Sequence, residues 1–123
     1  MKKPRLLNDA IHAVLDYGVV VTFAVAPSLL GITGPSAVLC YGLAVVHLLL
    51  TLFSDMPFSA MKLIPMAWHG HLELVVSFAL VICPWVFPDL LASGQLFFTL
   101  MGAIIFFVWA TSNYGDKKFA ALV

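Results

Sequence analysis

Residues 10–26 read AIHAVLDYGVVVTFAVA, and residues 67–87 read AWHGHLELVVSFALVICPWVF. Each run approaches or reaches the roughly 20 mainly apolar residues that a helix needs to cross a bilayer. Two more runs qualify, residues 36–53 (SAVLCYGLAVVHLLLTLF) and 95–112 (QLFFTLMGAIIFFVWATS). None alternates polar with apolar residues, as the strands of a membrane barrel do. Turn formers stand between the runs: Pro27, Gly31, Gly34 and Pro35, then Asp55, Pro57, Ser59 and Pro65, then Pro88, Asp89, Ser93 and Gly94. The expectation is one all-α transmembrane domain over residues 1–123, an integral membrane four-helix bundle.

Composition supports the same class. The 123 residues are 63% apolar and 10% charged, whereas a soluble domain carries about 25% charged residues. Six acidic and six basic residues balance, so no basic patch is available for nucleic acid. High hydrophobicity with zero net charge also excludes a disordered chain.

The six cationic residues are Lys2, Lys3, Arg5, Lys62, Lys117 and Lys118. They fall in the two tails and the second loop, which share one side of a four-span chain. The positive-inside rule puts both termini in the cytoplasm and suits a bacterial or archaeal inner membrane. The first run is expected to be a retained span and not a cleaved signal. Asp9, His12 and Asp16 interrupt its apolar stretch, and Pro27 would follow the cut at Ala26. Cys40 and Cys83 both fall near the outer ends of their helices. They are compatible with a disulfide or with two small core residues.

A shift of the chain by 57 positions brings Ala10, His12, Leu15, Val19 and Pro27 onto Ala67, His69, Leu72, Val76 and Pro84. Asp16 falls on Glu73. The polar part of this match is a histidine, an acid four residues later, and a proline eleven residues after that. Both copies run from inside to outside, so the expected arrangement is two tandem hairpins related by a pseudo-two-fold axis along the membrane normal. The segments Asp16-Tyr17-Gly18 to Ala26-Pro27-Ser28 and Glu73-Leu74 to Cys83-Pro84-Trp85 resemble the SPW-repeat membrane proteins. In that family an acid early in a helix is followed by a Ser-Pro-Trp triplet at its outer end. This chain has Ala-Pro-Ser and Cys-Pro-Trp in its place. The resemblance implies the fold and no particular activity. Both prolines are expected to end their helices, with Trp85 and Trp68 as interfacial anchors.

Ionisable residues within a span cost about 2.5–3.5 kcal/mol each at the helix centre. Asp16, His47 and Glu73 lie at such positions. At 1.5 Å per residue they fall about 9–11 Å from one boundary, forming a single intramembrane polar layer. His12 and His69 each precede an acid by four residues and share its helical face. His71 points about 200° away from His69. Gly18, Gly42, Ala44 and Gly102 are candidates for close helix approach.

Three functions fit this pattern. The leading one is a non-enzymatic accessory or scaffold subunit that associates with other membrane proteins or with itself, using the polar layer as glue. The second is a cofactor carrier. A transition metal such as iron, manganese or zinc would use His12, Asp16, His69 and Glu73; haem would use His47 with His71 or His12 as axial ligands, and His47 alone would ligate a chlorophyll-type pigment or haem. The third is proton-coupled transport through the same acids. No nucleophile–base–orienter set is legible, so a conventional enzyme is not expected.

Overall fold

Asn8 opens the first helix, α1 (Asp9–Leu30), by accepting the Ile11 N–H at 2.8 Å on its side-chain oxygen. Asp9 adds a negative charge to the first turn, where the helix dipole favours it. At the other end Gly31, at φ 68°, takes the left-handed conformation that stops a helix. The N–H groups of Gly31 and Ile32 both fall on the Pro27 carbonyl. These details come from a computed structural model that describes residues 7–112; the Lys2, Lys3, Arg5, Lys117 and Lys118 tails of the orientation reading lie outside them.

α2 spans Gly34–Leu52 with Pro35 in its first turn, where a missing N–H costs nothing. α3 spans Met66–Val86, α4 is a single turn at Pro88–Leu91 within the stretch read as a loop, and α5 spans Gln95–Thr111. Among the described residues the chain is helical and has no strand. α1, α2 and α3 are long and apolar enough to cross a membrane. α5 is apolar but has 17 residues, about 26 Å of helix.

The prolines correct one expectation. α1 continues through Pro27 to Leu30, and α3 through Pro84 to Val86. A proline cancels only its own bond to the carbonyl four residues back, so a nearly finished helix can complete its last turn. The Pro84 carbonyl is then capped by the Gln95 Nε2–H at 2.9 Å.

α1 packs on α2, and α3 on α5. Phe23, Cys40, Leu80, Phe98, Met101 and Ile105 close into one apolar core. The outward faces are apolar too: Val21, Val38, Val75, Ile82, Leu100 and Phe107 are each more than half exposed. Such faces suit a lipid solvent and no aqueous one.

Of the small residues, Gly102 fulfils its expected role. A methyl group there would lie 2.7 Å from the Ser77 carbonyl and 2.9 Å from the Val81 nitrogen, so α5 rests directly on the α3 backbone. Ala44 is buried. Gly18 and Gly42 face open space instead, because helices that are apolar all round do not announce which side points inward. Cys40 and Cys83 are free thiols, with Cys40 buried in the core.

Buried positions recur at fixed spacing. In α1 and α3, residues 57 apart are buried together: His12 and His69, Ala13 and Gly70, Asp16 and Glu73, Phe23 and Leu80, Pro27 and Pro84. In α2 and α5 the spacing is 58: Cys40 and Phe98, Ala44 and Gly102, His47 and Ile105, Leu50 and Val108.

Candidate metal centre

Asp16 and Glu73 each sit seven residues into their helices, α1 and α3. The four-residue spacing stacks His12 below Asp16 and His69 below Glu73 on the same faces. All four are at most 2% exposed. His12 Nε2 lies 3.1 Å from Asp16 Oδ2, and His69 Nε2 lies 3.1 Å from Glu73 Oε1.

Each imidazole also reaches across to the other helix. His69 Nε2 is 2.9 Å from Asp16 Oδ2, and His12 Nε2 is 3.5 Å from Glu73 Oε1. The four groups form a ring of alternating nitrogen and oxygen, with all ligand-type atoms within 4.8 Å of one another. Metal–ligand bonds of about 2.1 Å put neighbouring ligands about 3.0 Å apart in a square and about 3.4 Å apart in a tetrahedron. The observed edges, 2.9–3.5 Å, span that range.

The outer nitrogens of both rings meet serine hydroxyls. His12 Nδ1 is 2.7 Å from Ser112 Oγ, just past the end of α5, and His69 Nδ1 is 2.7 Å from Ser54 Oγ, just past the end of α2. The Ser54 hydroxyl proton is already given to the Leu50 carbonyl at 2.6 Å. Its oxygen must therefore accept, so His69 Nδ1 carries a hydrogen. In neutral His69 the lone pair is on Nε2, directed at two carboxylate oxygens. That arrangement is repulsive unless a cation, metal or proton, sits among them.

Ser54 is held from both sides. Its backbone bridges to Ile64, and the next residue, Asp55, donates its N–H to the Ile64 carbonyl at 2.9 Å. The Tyr17 hydroxyl pins the same loop through the Phe58 carbonyl at 2.7 Å. Neither serine was anticipated from sequence. The available signal was that both follow the last turn of a span and sit 58 positions apart.

His47 joins the layer from α2, with Nε2 3.6 Å from Asp16 Oδ1. It stands beside the ring of four and also lines a cavity of about 290 Å³ that reaches Glu73. The structure brings Asp16, His47 and Glu73 together at one level and places His12, Asp16, His69 and Glu73 in a single buried cluster. His71 is not brought to the cluster. His71 is exposed, edge-on to Trp68 with ring centres 5.9 Å apart, on the side of α3 away from the cluster. Two residues along a helix turn the side chain through about 200°, so His71 leaves α3 on a different face from His69.

No protein-family model, curated protein or solved structure matches this chain.

Proposed function

We propose that the chain is a membrane-embedded metal-binding protein in which His12, Asp16, His69 and Glu73 hold one divalent transition metal between two helical hairpins. The observation that carries the reading is the Ser54 bridge: the hydroxyl gives its proton to Leu50 and accepts one from His69. Metal-ligating histidines characteristically donate their second N–H to such an outer partner, which fixes ring orientation. The ring of two imidazoles and two carboxylates suits manganese, iron or zinc. One dication neutralises both carboxylates, which otherwise face each other in a poorly solvated interior.

The proposal includes the finer architecture. The recurrence of buried residues supports two tandem hairpins, α1–α2 and α3–α5, with α5 as the fourth crossing. Kinship with the SPW-repeat proteins and cytoplasmic termini belong to the same proposal. In that orientation the metal lies about 10 Å inside the cytoplasmic boundary. The protein is read as a carrier or accessory subunit, with no reaction assigned to the ion.

The test is metal content of protein purified without chelators, by inductively coupled plasma mass spectrometry. One equivalent of manganese, iron or zinc per chain is expected, falling below a tenth in Asp16→Ala. Metal-free wild type that also takes up none of these ions at micromolar concentration would overturn the reading. The cluster would then be a proton-bridged lock in a scaffold.

A further inference from the structure

The cavity beside the cluster touches the ligand set only at Glu73. It lies in the seam where α2 faces α3, and its volume is about 290 Å³. Phe23, Leu50 and Val76 are among its apolar walls, and its two ionisable lining residues are His47 and Glu73. Both belong to the buried layer, so the polar groups meet at one level of an otherwise greasy space. Val46, Leu49 and Leu72 form part of its lining and are 62%, 49% and 46% exposed on the helix surfaces. In a bilayer such faces meet acyl chains, so the cavity opens sideways into lipid.

His47 supplies the second observation. Its side chain is nine-tenths buried, and its Nε2 makes no hydrogen bond in the structure. The nearest acid oxygen, Asp16 Oδ1, is 3.6 Å away, too far for a direct bond. A buried polar atom left in this state loses about 1–3 kcal/mol, which a bound hydrogen-bonding group recovers.

We propose that this cavity binds the ring of a prenylated benzoquinone or its quinol, hydrogen-bonded to His47, with the tail leaving between α2 and α3 into the bilayer. Three properties select this class. No lysine or arginine lines the space to pair with an anionic head, which disfavours fatty acids and phospholipid phosphates. The volume is at the small end of small-molecule sites, roughly 300–1,000 Å³, enough for one substituted ring and too little for a fused steroid. Phe23 and Phe53 line the space and offer aromatic faces to a flat ring. The site borders the ring of four at Glu73, but its hydrogen bond and walls come from His47 and apolar residues, so this reading and the metal reading fail separately.

The experiment is calorimetric titration of the full chain in nanodiscs with a decyl-tailed benzoquinone, beside His47→Leu and Val46→Trp. Val46 is at the rim and faces lipid, so a tryptophan there obstructs the opening without entering the core. Saturable one-to-one binding is expected, weakened at least tenfold in Val46→Trp and five- to tenfold in His47→Leu. Circular dichroism of both variants should match the parent. Absence of saturable binding, equal affinity in all three proteins, or displacement by palmitate or cholesterol at the same concentration would overturn the assignment. Metal content measured on the same samples separates this outcome from that of the metal proposal.

Discussion

The α1–α2 pair and the α3–α5 pair bury many matching positions, only some of them with the same residue. His12 and Asp16 have counterparts in His69 and Glu73, and Ser54 at the end of one pair has its counterpart in Ser112 at the end of the other. Contacts cross between the pairs: each histidine reaches the acid of the other pair and the serine that ends it. The half-sites are incomplete alone, and the cluster exists only where they meet. The pairs diverge at His47, whose counterpart is buried Ile105, and at Ala44, whose counterpart is Gly102. A shared set builds the centre, and a single divergent position gives one seam a polar side chain facing a cavity.

The largest predicted effect tests whether the half-sites are equivalent. Asp16→Ala and Glu73→Ala each remove one member of a buried charged network, which costs about 3–5 kcal/mol. Unfolding in mixed micelles should show losses of similar size for the two. A loss confined to one would break the equivalence. Next is the divergence at the close approach. Gly102→Ala forces a methyl against the α3 backbone at 2.7 Å and should cost about 1–3 kcal/mol. Gly42→Ala meets open space and should change stability by no more than about 0.5 kcal/mol in the same assay.

Ser54→Ala and Ser112→Ala sharpen the comparison further. Each leaves a histidine Nδ1 without its hydroxyl, at about 1–2 kcal/mol, and should weaken metal affinity about 10–100-fold. The two affinities, read by competition with a chelating dye, should fall together. The smallest effect belongs to Tyr17, whose hydroxyl bond to Phe58 has no counterpart bond described in the second pair. Tyr17→Phe should cost about 0.5–1.5 kcal/mol in the unfolding assay.

Much of this was legible in the sequence because of what a bilayer forbids. Charge is so costly in hydrocarbon that Asp16, His47 and Glu73 stand out at once, and a fixed rise per residue places them at one depth. The four-residue spacing pairs each histidine with its own acid. The crossed contacts were not legible, since they depend on how the helix pairs dock. Ser54 and Ser112 lie where spans end, among ordinary turn residues, and nothing local distinguishes them. The inward faces were also hidden. In water, polarity marks the outer side of a helix, but here both sides are apolar, and Gly18 and Gly42 looked no different from Gly102. Pro27 and Pro84 misled for a different reason, because a proline in the last turns leaves the remaining bonds intact.

The central claim is that both helix pairs contribute equally to one metal centre. X-ray absorption at the K edge of the bound metal addresses it directly. Two imidazole nitrogens and two carboxylate oxygens at about 2.0–2.2 Å are expected, with one imidazole lost in His12→Ala and likewise one in His69→Ala. A spectrum without imidazole scattering, or one that changes in only one of these variants, would contradict the account.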